Sequence, residues 1–219
     1  MATVIFDFDS TLVSCESLEW ILKEQLEGKP EIKERIHEIT QEGLNGSIPF
    51  SESLAKRLEL AQPHRDEVVA FGHKALEMIT VGMPELLEKL RLEGAEIWVV
   101  SGGLYESLLP VCGRLGIDEE HVMAVKLLWS CQGDFLGIDP NDALSRSKAE
   151  GVASAAPAWS RPRIIVGDAM SDYRVFEQGI VDEFVLYTEH IECSEIAALG
   201  VKKSKNVEEL EEVLDAVIG

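Results

Sequence analysis

Ala2-Thr-Val-Ile-Phe-Asp7-Phe-Asp9-Ser-Thr-Leu-Val13 is the stretch on which the fold turns. Its first half is a continuous apolar run, the pattern of a strand buried on both faces in a parallel sheet. The run ends in two carboxylates. Side chains two apart on a strand share a face, so Asp7 and Asp9 are expected to emerge together at its carboxyl end. In an open α/β sheet that end is where ligands bind. Two like charges side by side are costly unless a cation or a proton is shared between them. A single Asp before Ser10-Thr11 suits an ordinary turn, whereas two on one face suit a magnesium site.

Further along the chain, Ala95-Glu-Ile-Trp-Val-Val-Ser101, Arg163-Ile-Ile-Val-Gly-Asp168 and Glu183-Phe-Val-Leu-Tyr187 read as buried strands. Helices are expected between and after them. One begins at Met83-Pro84, with Leu86, Leu87 and Leu90 at helical spacing and Gly94 at its end. Others cover roughly 104–115 and 170–179, and the last follows Asn206, with Val207, Leu210, Val213, Leu214 and Val217 on one face. This alternation predicts an α/β fold, a Rossmann-like parallel sheet with helices on both faces. Two segments depart from it. Residues 14–80 carry helical stripes (Leu18, Ile21, Leu22, Leu26; Ile32, Ile36, Ile39; Leu54, Leu58) and no strand pattern, which predicts an inserted small helical cap. The core would then take residues 1–13 and 81–219, and the cap 14–80. Lys126-Leu-Leu-Trp-Ser130 and Phe135-Leu-Gly137, joined by Cys-Gln-Gly-Asp, predict a β-hairpin flap.

The 219 residues include 46% hydrophobic ones, enough to bury a full core, and 40 acidic against 20 basic side chains, a net charge of −20. Such a surface repels nucleic acid and anionic membranes, so neither is expected as a partner. It also repels phosphorylated ligands at long range. An anion site must therefore be built locally, from a metal, a few Lys or Arg and backbone N–H groups. Cys15, Cys112, Cys131 and Cys193 are scattered without a CxxC pair, which suits reduced thiols in the cytoplasm. Met1 leads directly into an expected strand, so no signal peptide is expected, and no apolar run reaches the ~18 residues of a membrane span. Nothing in the sequence points to an oligomeric state.

Four polar points fall at the ends of buried strands or on the loops after them: Asp7/Asp9, Ser101-Gly102-Gly103, Lys148, and Gly167-Asp168-x-x-x-Asp172. Parallel strands bring their carboxyl ends to one rim, so these points can converge. Singly each is weak, since Ser-Gly-Gly is a common strand-to-helix turn and a lysine at a helix start is usually solvated. In this order and spacing they resemble the haloacid dehalogenase-like hydrolase superfamily, and within it the phosphoserine phosphatase group. Asp7-Phe-Asp-Ser-Thr-Leu-Val13 matches that group's first motif. Glu16 stands nine residues after Asp7, and Phe50 and Arg57 fall in its cap motif.

The resemblance implies a magnesium-dependent phosphomonoester hydrolase that works through an aspartyl phosphate, acts on O-phosphoserine and serves serine biosynthesis. Asp7 would be the nucleophile, and Asp9 the general acid and then the base. Mg²⁺ would be held by Asp7, Asp168 and the Asp9 carbonyl, with Asp172 and Ser171 in support. Ser101, Gly102 and Lys148 would bind the phosphoryl oxygens. Arg57 would take the substrate carboxylate, Glu16 its ammonium, and Phe50 would be a further substrate-binding residue. The group's fourth motif reads Gly-Asp-Gly-x-Asn-Asp, whereas this chain has Gly167-Asp-Ala-Met-Ser-Asp172, and Leu44-Asn-Gly-Ser-Ile-Pro49 is also unlike the group. These departures bear on the substrate more than on the reaction. The alternatives are a phosphatase for another small phosphometabolite, such as a sugar phosphate or phosphoethanolamine, and a phosphotransferase with the same core chemistry.

Overall fold

A computed structural model of the chain describes residues 1–26, 28–44 and 47–219; Asn45 and Gly46, within the divergent 44–49 stretch, lie outside the described residues. The chain opens with β1 (Thr3–Phe6) and then runs through helices α1 (Ser17–Gln25), α2 (Pro30–Leu44), α3 (Phe50–Ala61) and α4 (Arg65–Lys74). Next come α5 (Met83–Leu92), β2 (Glu96–Leu104), α6 (Tyr105–Arg114) and β3 (Val122–Val125), followed by the hairpin β4 (Leu127–Trp129) and β5 (Phe135–Ile138). The remainder is α7 (Lys148–Ala155), β6 (Arg163–Gly167), α8 (Met170–Glu177), β7 (Glu183–Tyr187), α9 (Ser194–Ala197), β8 (Lys202–Ser204) and α10 (Val207–Ile218).

The apolar run of β1 is explained by its place. It lies between β2 and β6, parallel to both, with Phe6 opposite Val99 on one side and Val166 on the other. Val4, Ile5 and Phe6 are fully buried. The sheet order is β3-β2-β1-β6-β7-β8 and every pairing in it is parallel. With the hairpin set aside, this is the doubly wound order that reverses direction beside β1. In sheets of this order ligands bind in a crevice at that reversal, off the carboxyl ends of the strands. The expected Rossmann-like sheet with helices on both faces is therefore the observed fold.

One expectation about β1 is corrected. The strand stops at Phe6, and Phe8–Leu12 form a tight helical turn. Within it Asp9 is extended and Ser10 is left-handed, at φ 51°. Asp7 and Asp9 therefore do not share a strand face; the turn sends their side chains to different partners.

The helical segment leaves and rejoins the sheet through two crossings that run side by side. Val13 pairs with Ile79 in an antiparallel bridge. Ser14 N–H donates to the Met78 carbonyl at 2.9 Å and Thr80 N–H to the Leu12 carbonyl at 2.9 Å. The Thr80 hydroxyl donates to the Thr11 carbonyl at 2.8 Å and lies 2.9 Å from His190 Nε2. α4 sits against α6 so closely that a Cβ on Gly72 would fall 2.6 Å from the Ser107 carbonyl oxygen. The hairpin forms where it is expected. Its tip is tied to the helices by His64 Nε2 at 2.9 Å from the Gln132 carbonyl and by Arg65 N–H donating to the Gly133 carbonyl at 2.9 Å. The pair next to its turn is tied to α6 by Trp129 Nε1–H donating to Glu106 at 2.7 Å. Among the described residues no helix is long and apolar enough to cross a membrane.

Candidate active site

Lys148 organises the site. It is the first residue of α7, where the helix dipole disfavours a cation, and only 7% of its side chain is exposed. Ser147 caps the helix by accepting from Glu150 N–H at 3.1 Å. Burial works against the ammonium charge, but Asp172 and Asp7, each 2.7 Å from Nζ, hold its pKa above the ordinary lysine value. Asp7 follows β1 directly, and its Oδ1 also accepts from Phe8 N–H at 2.7 Å.

Asp172, in the first turn of α8, is wholly buried. Oδ1 accepts from Lys148 at 2.7 Å and Oδ2 from Ala169 N–H at 3.2 Å. A Cβ on Gly167 would stand 2.4 Å from Asp172 Cγ. Only glycine at the end of β6 lets Asp172 lean across the strand end, which is the physical content of the Gly-Asp-x-x-x-Asp spacing. Asp168, between them, is buried too.

Oxygens of Asp7, Asp168 and Asp172 all lie within 4.8 Å of one another. Burial, then Asp7 and Asp172, push the Asp168 carboxyl up to about 8. Burial and Asp7 push Asp172 up to about 7. One lysine does not offset three crowded carboxylates, and an all-oxygen donor set of this kind fits a hard divalent cation such as Mg²⁺.

The raised carboxyls have a measurable consequence. A folded-state pKa above the unfolded value of about 4 means that the native chain binds protons which the unfolded chain gives up between about pH 4 and 8. These groups therefore favour the fold most at the low end of that window, and the benefit is lost as the pH rises through it. With divalent cations chelated, the melting temperature is expected to fall from about pH 5.5 to about pH 8. Added Mg²⁺ is expected to raise it more at the higher pH. Thermal melts at constant ionic strength check this; a Mg²⁺ effect that shrinks with rising pH would contradict it.

Asp9 faces elsewhere. Its Oδ1 accepts from Ser17 N–H at 2.8 Å and its Oδ2 from the Ser17 hydroxyl at 2.9 Å. Burial, then Glu16 and Asp7, push its carboxyl up to about 8. Ser17 opens α1 and is fully buried. It is a site residue that sequence reasoning missed, because a serine at a helix start reads as that helix's own cap.

Ser101 Oγ accepts from Gly103 N–H at 2.9 Å, which leaves its own proton to donate. A Cβ on Gly103 would fall 2.9 Å from Ser17 Oγ, and one on Gly102 would fall 3.2 Å from the Phe50 ring. Phe50, at the start of α3, thus lies over Gly102. Glu16 accepts from the Ser10 hydroxyl at 2.7 Å, and its carboxyl is raised by burial. Arg57 is buried on α3, and its Nε donates to the Ser53 carbonyl at 3.3 Å. Among the described residues no carboxylate lies within 4.0 Å of its guanidinium. Burial lowers its pKa, opposed by the charge of Glu19. Ser171, half-buried beside Asp172, makes no side-chain hydrogen bond among the described residues.

A family model described as haloacid dehalogenase-like hydrolase matches residues 4–177. The chloroplastic phosphoserine phosphatase of Arabidopsis thaliana is 33% identical over 189 residues, 84% of this chain; the chain spans 62% of that relative's length. The phosphoserine phosphatase of Methanocaldococcus jannaschii is 29% identical over 180 residues, covering 80% of this chain and 81% of that one. The crystal structure of a phosphoserine phosphohydrolase-like protein from Francisella tularensis superposes with a TM-score of 0.90 at 37% identity, over 97% of this chain and 99% of that one.

Proposed function

The chain belongs to the haloacid dehalogenase-like hydrolases, and on that premise we propose that it hydrolyses a small phosphomonoester, O-phosphoserine before others. The observation that carries this reading is the buried Lys148 held at 2.7 Å by both Asp7 and Asp172, with Asp168 beside them, in the crevice next to β1. Residues 14–80 act as the cap in this reading.

Asp7, Asp168 and Asp172 are the carboxylates that would hold Mg²⁺. When bound, the ion would supply positive charge to offset the negative charge of nucleophile and phosphate. Asp7 Oδ attacks phosphorus, forming the new P–O bond of an aspartyl phosphate while the bond to the leaving oxygen breaks. The leaving oxygen takes that electron pair and a proton from Asp9. Asp9, now a carboxylate, removes a proton from the water that attacks phosphorus, which returns Asp7 and releases phosphate. The Ser101 hydroxyl, the Gly102 N–H and Lys148 bind the phosphoryl oxygens as charge develops on them.

Substrate choice rests on the helical segment. A buried guanidinium with no carboxylate partner among the described residues suits an anionic group on the ligand, and Arg57 offers a planar fork for one. Glu16, with one oxygen taken by Ser10, has the other for an ammonium. The test is a two-by-two comparison with Mg²⁺ present. Arg57→Ala is expected to lower kcat/KM on phosphoserine and on phospholactate alike, by about tens-fold or more. Glu16→Gln is expected to penalise phosphoserine and spare phospholactate. Equal losses on both substrates for Glu16→Gln would remove phosphoserine and leave a phosphatase for another small metabolite, the reading that Ala169 and Ser171 favour. Phosphate passing to an added alcohol instead of water would turn the assignment to a phosphotransferase.

A further inference from the structure

Asp9 stands outside the Lys148 cluster, yet it is not loose: one residue takes both of its oxygens, Ser17 N–H at 2.8 Å and Ser17 Oγ–H at 2.9 Å. We propose that Ser17 is a positioning residue for the reaction, fixing the Asp9 carboxyl at the angle from which it protonates the leaving oxygen and later deprotonates water. This rests on the acid–base reading of Asp9 given above.

The end torsion of an aspartate is a broad, two-fold rotor. A single hydrogen bond lets the carboxyl swing, whereas bonds to both oxygens from one rigid residue fix its plane. Ser17 is fully buried, so bulk water does not replace either bond. The two donors differ in kind. The backbone N–H can only donate, and so keeps Oδ1 an acceptor in both protonation states. The hydroxyl donates to one side of Oδ2 and leaves the other side of that oxygen to carry the acid's proton. When the P–O bond breaks and its electron pair goes to the leaving oxygen, that proton passes to the same oxygen. The Ser17 O–H stays on the carboxylate left behind.

The hydroxyl also stands where two parts of the site meet. It lies 2.9 Å from the place a Cβ would take on Gly103, and Ser101 Oγ lies 3.2 Å from that same point. The start of α1, the turn that binds the phosphoryl oxygens and the acid thus share one contact. Only three residues, 14–16, separate Ser17 from the crossing at Val13, so α1 has little slack with which to leave Asp9.

The bland alternative is that Asp9 merely caps α1. That predicts a lower melting temperature for Ser17→Ala and equal rate losses on all substrates. The test measures kcat and KM with Mg²⁺ on phosphoserine, whose leaving oxygen needs a proton, and on p-nitrophenyl phosphate, whose leaving group needs little help. Ser17→Ala is expected to lower kcat on phosphoserine about tenfold with KM within about twofold. The first-turnover burst of nitrophenol should keep its rate while later turnovers slow. Ser17→Thr keeps the hydroxyl and should recover most of the loss. Should threonine's extra methyl disturb the fold, the double variant decides: in an Asp9→Asn background, Ser17→Ala should cost nothing further. Equal losses in the first-turnover rate on the two leaving groups, or an undiminished loss in that background, would overturn the role of Ser17. A wild-type protein inert on both phosphates would overturn the acid–base reading together with it.

Discussion

Asp7→Asn is expected to abolish phosphate release while the fold stays intact. The amide is nearly isosteric and can still accept from Phe8 N–H, so the turn after β1 keeps its hydrogen bond. On the mechanism proposed above, what is lost is the nucleophile and one negative charge. Without an oxygen anion to attack phosphorus no covalent phosphate forms, and the drop in kcat should be on the order of 10⁴ or more. The loss of charge acts in the opposite direction on stability. Asp7 raises both Asp168 and Asp172, so removing it relieves a buried repulsion, while Asp172 still balances Lys148 at 2.7 Å. With divalent cations chelated, the variant is expected to melt no lower than the wild type, and Mg²⁺ should raise its melting point less. Single-turnover phosphate release and thermal melts check the two halves. Full activity in Asp7→Asn would sink the covalent mechanism.

Lys148→Met is expected to damage both activity and fold. Methionine fills similar volume but leaves Asp7 and Asp172 buried without their cation, at side-chain exposures of 7% and 0%. Breaking a buried ion pair on one side costs roughly 3–5 kcal/mol. For a chain of this size that is a fall in melting temperature on the order of 10 °C. The deficit should shrink at low pH, where the stranded carboxyls take up protons, and in Mg²⁺, which restores positive charge. Losing a charged donor to the phosphoryl oxygens should lower kcat by about 10²–10³. Melts across pH, with and without Mg²⁺, separate the structural part from the catalytic one. A deficit that grows on acidification would refute the charge account.

The legible parts of this protein are those whose cause is local. β1, β2, β6 and β7 are continuous apolar runs because both faces are covered, and such runs stand out in any sequence. The helical stripe of α10 and its Asn206 cap stand out for the same reason: Asn206 accepts from Glu209 N–H at 2.8 Å within a single turn. β3 and β8 are edge strands of four and three residues, too short for any periodicity to show. α4 buries Val68, Phe71 and Gly72 on a narrow face between charged residues, and its packing against α6 depends on a glycine with no apolar signal. The site divides along the same line. Gly167, Asp168 and Asp172 are close in sequence and constrain one another, so their spacing can be read. The direction of Asp9 hangs on a left-handed Ser10 and on a partner eight residues away, and neither is visible to a rule about alternating strand faces.

The two short edges of the sheet also bear on how the folded chain behaves in a crowded solution. A sheet open at both sides offers unpaired backbone groups on which another chain can template, and long flat edges seed fibrils. Here one edge is the three residues of β8, two of them lysines: Lys202 is paired with Glu183 on β7, and Lys203 with Glu192 on the loop after it. The other is the four residues of β3, whose register with β2 shifts between Val100 and Leu104. Neither gives an incoming strand a run long enough to stack upon, and a charge of −20 adds long-range repulsion against non-specific association. The apolar centre of the sheet can be built for packing alone, because both open edges are brief and one of them carries lysines.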